Sequence, residues 1–117
     1  MIVEAVVLFC GVAVADLDGA IDWYERLFGR SADVVVNDDE AMWQVAAAGW
    51  LYLVRDPSGS GGALGAIAVA DLEEALGELA ARGIAVPPVT EVGEAGRKAE
   101  LADPEGNRIA LIEVTAG

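Results

Sequence analysis

Residues 9–24, FCGVAVADLDGAIDWY, are echoed by residues 64–79, LGAIAVADLEEALGEL. With Val14 laid over Val69, each copy runs from an apolar stretch through Ala-Asp-Leu into an acidic, Ala-rich amphipathic segment. This repeat constrains the fold more than any other feature. Half of a 117-residue chain carries one helix and one small sheet, too little surface to close a core alone. Two such halves packed together reach the size of one ordinary domain.

Hydrophobic periodicity divides each half in the same order. Residues 3–14 read as a strand with Val6, Leu8, Cys10, Val12 and Val14 on one face and Ala5, Val7, Phe9, Gly11 and Ala13 on the other. Both faces are apolar, so cover is expected on both sides. Asp16 fits a helix N-cap, Leu17, Ala20, Ile21, Tyr24, Leu27 and Phe28 form the helical stripe, and Gly29 is the stop. Trp23 stands off that stripe and is expected either to cap a subunit contact, as an exposed Trp would suggest, or to cover the helix edge. Strands are expected over 32–37, 41–47 and 50–55, followed by a Gly/Ser-rich link over 56–65.

The second half repeats the order: a strand over 64–69, an Asp71–Glu74 capping signal, a stripe of Leu72, Ala75, Leu76, Leu79 and Ala80, and Gly83 as the stop. An extended piece follows over 84–89, then strands over 97–102 and 107–114 around the turn DPEGN. The expected architecture is α+β: a single domain, 1–117, of two βαβββ modules (about 1–56 and 63–117). They share one curved mixed sheet, with helices on its convex face and a pocket on its concave face.

Twenty acidic residues against seven basic ones give a net charge of −13. Such a field repels phosphate backbones, excludes nucleic acid as a partner and attracts cationic small molecules. No apolar run approaches the length of about 18–20 residues that crosses a bilayer, and the N-terminus lacks the basic start of a signal peptide, so a cytoplasmic protein is expected. The single cysteine, Cys10, sits in an apolar run and reads as an inert core thiol. The chain has no His, so neither Cys10 nor Ser31, Ser58 or Ser60 has a base to activate it.

The stretches VAVADLDGAIDWYERLFG and ADPEGNRIALIEV resemble the first strand–helix unit and the closing hairpin of the vicinal oxygen chelate superfamily, which includes glyoxalases, extradiol dioxygenases and bleomycin-resistance proteins. Metalloenzymes of that family hold a divalent cation with four residues, one near the start and one near the end of each half. The resemblance carries those positions onto Phe9, Tyr52, Leu64 and Ala110. Phe9, Leu64 and Ala110 have no donor atom, and Tyr52 is a rare ligand for such metals. A one-residue slip gives Cys10, Leu51 or Leu53, Gly65, and Ile109 or Leu111, which is no better. Neither metal nor other cofactor is expected.

In this reading Val7, Phe9, Ala13, Tyr52, Leu64, Ala66, Ala68, Ala110 and Ile112 face the hollow and make it hydrophobic. Phe9, Trp43, Trp50 and Tyr52 are the candidate ligand-binding aromatics, suited to a planar or cationic guest through stacking and cation–π contact. Arg108 is a candidate for pairing with a ligand carboxylate. Gln44 and Glu100 are polar strand residues of unassigned face. The expectation is a metal-free binding protein, resembling the bleomycin-resistance branch and homodimeric, that sequesters a cationic or planar drug or metabolite. Two alternatives stand beside it: a glyoxalase-type lyase, isomerase or dioxygenase with an unconventional metal site, and a non-catalytic interaction module.

Overall fold

The repeat in the sequence is a repeat in space. The computed structural model describes residues 4–94 and 96–114. The first module consists of β1 (Leu8–Val14), α1 (Leu17–Phe28), β2 (Val34–Asn37), β3 (Glu40–Ala46) and β4 (Gly49–Arg55). A single 3₁₀ turn, Pro57–Gly59, leads into the second: β5 (Leu64–Ala68), α2 (Leu72–Ala81), β6 (Thr90–Val92), β7 (Gly96–Ala102) and β8 (Arg108–Val114). The expected extended piece over 84–89 is irregular, and the third-last strand begins only at Thr90; Pro87 and Pro88 supply no ladder N–H there.

The α+β class and the paired βαβββ modules are as the periodicity predicts. The strands, however, are hydrogen-bonded as two four-stranded sheets rather than one, in the orders β1-β4-β3-β2 and β5-β8-β7-β6. β1 and β5 would have to join them, and each pairs only within its own module, parallel to β4 and β8 respectively. Both remain edge strands.

Each helix starts and stops where its capping residues dictate. Asp16 accepts the amide of Gly19 and Asp71 accepts that of Glu74, satisfying donors that a first turn leaves free. Gly29 (φ 72°) and Gly83 (φ 83°) take the left-handed conformation that ends a helix. The apolar stripes pack on the odd-numbered face of β3, β4, β7 and β8 and the even-numbered face of β1. One continuous core results, from Val12, Val14, Tyr24, Trp43 and Leu53 to Leu72, Leu79, Leu101 and Ile109. Trp23 is part of it: 7% exposed and edge-on to Tyr24 at 4.8 Å. The stripe is wide enough to take in a residue that the simple period leaves at its margin.

Beyond Val12 this cover ends. Val6, Leu8 and Phe9 are 84%, 72% and 52% exposed, so the cover expected on both faces of the first strand is absent from its start. Cys10 is exposed for the same reason, against the expectation of a core thiol. The helix packs over Val12 and Val14 only.

The DPEGN turn locks the second module onto the first. Asp103 is buried and receives the Tyr24 hydroxyl (2.9 Å), the amides of Glu105 and Asn107, and the Asn107 side chain. Burial, then the neighbouring Asp103 carboxylate, holds the Tyr24 phenol protonated far above its ordinary range. Glu105 accepts the amides of Ala15 (2.6 Å) and Asp16 (2.9 Å) and the Ser60 hydroxyl. Desolvation pushes its carboxyl up, but these three donors outweigh it and hold the group below its ordinary value of 4.5. Asn107 donates to the carbonyl of Ala13 (3.3 Å). At the helix ends, Arg82 donates to the carbonyls of Arg26 (2.5 Å) and Leu27 (3.1 Å), which α1 cannot satisfy internally.

Candidate functional site

Strand parity sorts the candidate residues into two faces. Val12, Val14, Trp43, Leu51 and Leu53 turn toward the helices. Phe9, Trp50 and Tyr52 turn the other way, onto an outer face that no helix covers. Phe9 and Trp50 are register partners, and their rings stack at 6.2 Å with planes 27° apart. Tyr52 is opposite Gly11, and its ring lies across that residue: a Cβ at position 11 would sit 2.5 Å from both Cζ and Oη of Tyr52. Gly11 thus lets the phenol fold over β1. The three aromatics form one wall.

Trp43 does not join it. It is fully buried on the helix face, packed against Phe28 at 5.6 Å and Tyr24 at 6.2 Å, with its indole N–H donated to the Arg30 carbonyl. The register pairs it with Leu51, which fixes its face and makes it a core residue rather than a ligand-binding one.

The outer face of the second module differs in character. Its rows run Leu64–Arg108, Ala66–Ala110 and Ala68–Ile112 from β5 to β8, then Ala102, Glu100 and Lys98 on β7. Arg108 is exposed and contacts the Glu100 carboxylate at 3.4 Å, so both belong to this face. Gln44 also lies on the outer face, opposite Trp50, but its amide donates to the Ala47 carbonyl and folds away into the turn.

Between the two sheets opens a cleft of about 300 Å³, walled in part by Leu8, Cys10, Trp50, Ala66, Ile67 and Ala68. Most of its lining, including Leu8, Cys10, Leu51, Ile67 and Ile109, belongs to the helix-facing side of the strands, and Trp50 is the member of the aromatic wall that reaches it. Its walls are almost wholly apolar, as suits a guest held by contact area with a few polar groups for orientation. Gly11, under the Tyr52 ring, is a residue of the aromatic wall that sequence reading passes over, although a glycine inside a strand is itself a signal of close approach.

The metal that the resemblance implies does not fit. Phe9, Tyr52, Leu64 and Ala110 occupy β1, β4, β5 and β8 on the outer faces, and the only donor atom among their side chains is the Tyr52 hydroxyl. Among the described residues no group of three or more His, Cys, Asp or Glu side chains converges. The set lacks the several nitrogen or oxygen donors that such an ion requires.

Comparison with known proteins agrees with this architecture. The glyoxalase/bleomycin resistance protein/dioxygenase superfamily profile matches residues 6–111. A glyoxalase/bleomycin resistance protein from Catenulispora acidiphila is 33% identical, with a TM-score of 0.88 over 95% of this chain and all of that one. TnmS3, an antibiotic-binding protein from a Streptomyces species, is 25% identical with a TM-score of 0.77 over 98% of this chain and all of its own. A lactoylglutathione lyase from Agrobacterium tumefaciens shares the fold at 17% identity, with a TM-score of 0.75 over 94% of each chain. No curated protein matches the sequence. A sequence profile spanning nearly the whole chain, with the doubled βαβββ architecture, shows that the chain belongs to the glyoxalase/bleomycin resistance protein/dioxygenase superfamily.

Proposed function

We propose that this protein binds a planar small molecule, a drug or metabolite, and sequesters it without chemical turnover. The observation that carries the reading is the aromatic wall of Phe9, Trp50 and Tyr52, of which Phe9 and Tyr52 stand where the resemblance puts metal ligands. Side chains with π faces hold a flat guest by stacking. Phe9 and Trp50 supply neither a Lewis acid nor a general base. The likeness to TnmS3, an antibiotic-binding protein, supports the same reading.

The bared start of β1 supports a second element: two copies of the chain pair there and complete the site. An apolar edge strand left open is a template for another chain. Sedimentation should give about 24 kDa, twice the 12.1 kDa of one chain, and Leu8→Glu should shift the species to the monomer. A monomeric wild type refutes this element.

Titration with a panel of planar antibiotics, followed by tryptophan fluorescence, tests the function. Trp23 and Trp43 are in the core, so the response should come from Trp50 and vanish in Trp50→Phe. Tyr52→Ala should weaken binding about five- to tenfold, the worth of one aromatic contact. Unchanged affinity would remove Tyr52 from the site. Stoichiometric metal in untagged protein, required for binding, would replace the reading with an enzymatic one.

A further inference from the structure

The internal repeat gives the outer-face positions of the first module counterparts on the second, and register defines them. Glu40 is opposite Val54 and Val54 opposite Ala13; Lys98 is opposite Ile112 and Ile112 opposite Ala68. With Val14 laid over Val69, Ala13 and Ala68 are equivalent, so Glu40 and Lys98 are equivalent as well. At two-residue steps along the same strands, Tyr52 corresponds to Ala110, Trp50 to Arg108 and Phe9 to Leu64.

The counterparts differ in kind. Where one face has the bulk of Tyr52, the other has the methyl group of Ala110. Where one has an indole, the other has a guanidinium, and such groups attract by cation–π contact. Where one has the Glu40 carboxylate, the other has the Lys98 ammonium. Arg108 and Glu100 offset each other at 3.4 Å, and the remaining outer-face positions of β1, β3, β4, β5, β7 and β8 are uncharged. Each face thus has one unbalanced charge, negative at Glu40 and positive at Lys98. Among the described residues neither has an ion-pair partner in its own chain. Both faces also end on a bare apolar residue, Phe9 at 52% and Leu64 at 66% exposure.

In a two-fold dimer, what one copy presents to its partner it receives in return. Like faces packed together set Glu40 against Glu40, Lys98 against Lys98 and ring against ring. Unlike faces set each position against its complement, twice over. We infer that two copies of the chain assemble unlike face to unlike face, the first module of each on the second module of the other, and that Glu40 paired with the partner's Lys98 selects this arrangement. The inference rests on the paired site proposed above and names the surface that completes it. The partner's Ala66, Ala68 and Ala110 stand across from the aromatic wall, and their small side chains leave a flat guest room beside the rings. Three strands and three rows make each patch about 14 by 20 Å, and the four patches of a dimer about 1,100 Å². That area reaches the size a specific interface requires. The surface is continuous with the bared start of β1 through Phe9.

Charge reversal tests the pairing in the full chain, by sedimentation velocity at about 0.1 M salt. Glu40→Lys and Lys98→Glu should each weaken self-association at least about tenfold, because either one brings like charges together at two contacts of the dimer. The double variant Glu40→Lys/Lys98→Glu should associate as the wild type does. An equimolar mixture of the two single variants should also recover the dimer, since each chain then finds its complement in the other. Glu40→Gln and Lys98→Gln, which only neutralise a side chain, should weaken association less than the reversals. Single reversals that associate as well as wild type, or losses that neither the double variant nor the mixture restores, overturn the inference while leaving a dimer in place. A monomeric wild type overturns the paired site itself, and the inference with it; binding of a planar guest is read separately, by the tryptophan titration.

Discussion

Tyr24→Phe deletes one oxygen from the middle of the inter-module lock and leaves the ring. The ring's partners, Trp23, Phe28 and Trp43, lie at centroid distances of 4.8, 6.2 and 6.2 Å and still pack against phenylalanine. The loss is thus confined to the bond from the hydroxyl to Asp103, 2.9 Å long and buried. A hydrogen bond to a charged group contributes about 1.5–3 kcal/mol. Asp103 keeps three other donors, from Glu105 and Asn107, so its carboxylate is not stranded. The expected cost therefore falls in the lower half of that range, about 1.5–2 kcal/mol. For a chain of this size about 1 kcal/mol moves the midpoint by about 4 °C, so Tm should drop by about 6–8 °C. Urea and thermal unfolding at pH 7, followed by far-UV circular dichroism at fixed protein concentration, measure both quantities. A loss below about 0.5 kcal/mol would refute the lock and show that the DPEGN turn holds Asp103 by itself. A loss above about 4 kcal/mol would mean that the ring had moved, and that the cost belongs to packing rather than to the hydroxyl.

Gly11→Ala puts a methyl 2.5 Å from the Tyr52 ring, about 1 Å closer than carbon atoms pack, so the ring must swing off β1. Ligand affinity should fall at least as far as in Tyr52→Ala while the urea midpoint stays nearly constant, and retained affinity would show that the ring's position over Gly11 is immaterial. Glu105→Gln tests the carboxylate end of the lock through pH. Because the folded-state pKa of Glu105 is depressed, its stabilisation is complete above the ordinary value of 4.5 and is lost as pH falls through the lowered one. The Tm gap between wild type and Glu105→Gln should therefore be constant near neutral pH and close in acid, and a gap that persists at low pH would assign the effect to shape rather than charge. Glu113, bonded to the Leu72 amide and then to Arg97, and Asp33, bonded to the Gln44 amide and then to Arg30, are depressed in the same direction. The wild type should accordingly unfold as acid titrates all three.

The parts of the fold that depend on local chemistry were legible in the sequence: the two Ala-Asp-Leu boundaries with their capping aspartates, the helix-ending glycines, and the DPEGN turn. The parts that depend on register were not. Trp43, Trp50 and Tyr52 are close in sequence, but only the pairing of Trp43 with Leu51 puts it among the core residues and the other two outside. Turn length sets that pairing, and a run of three alanines before Gly49 does not declare it. For Cys10, parity gives the face and not how far along the strand the helix reaches, and the thiol is exposed.

The cleft itself follows from where the repeat is imperfect. Both modules present the same elements in the same order, but the hairpins that end them differ. Between β7 and β8 stand the five residues DPEGN, whose side chains reach Tyr24, Ala13, Ala15 and Asp16 and draw the second module against the end of β1. Between β3 and β4 stand only Ala47 and Ala48, which have no polar side chain to extend toward the end of β5. A lock at one end with none at the other leaves the sheets apart beside Leu8, Cys10 and Trp50, where the apolar cleft opens. Small residues then deepen it: Gly65, Ala66 and Ala68 along β5. The duplication that builds one core from two modules thereby also produces a hollow, and the unequal hairpins set the end at which it opens.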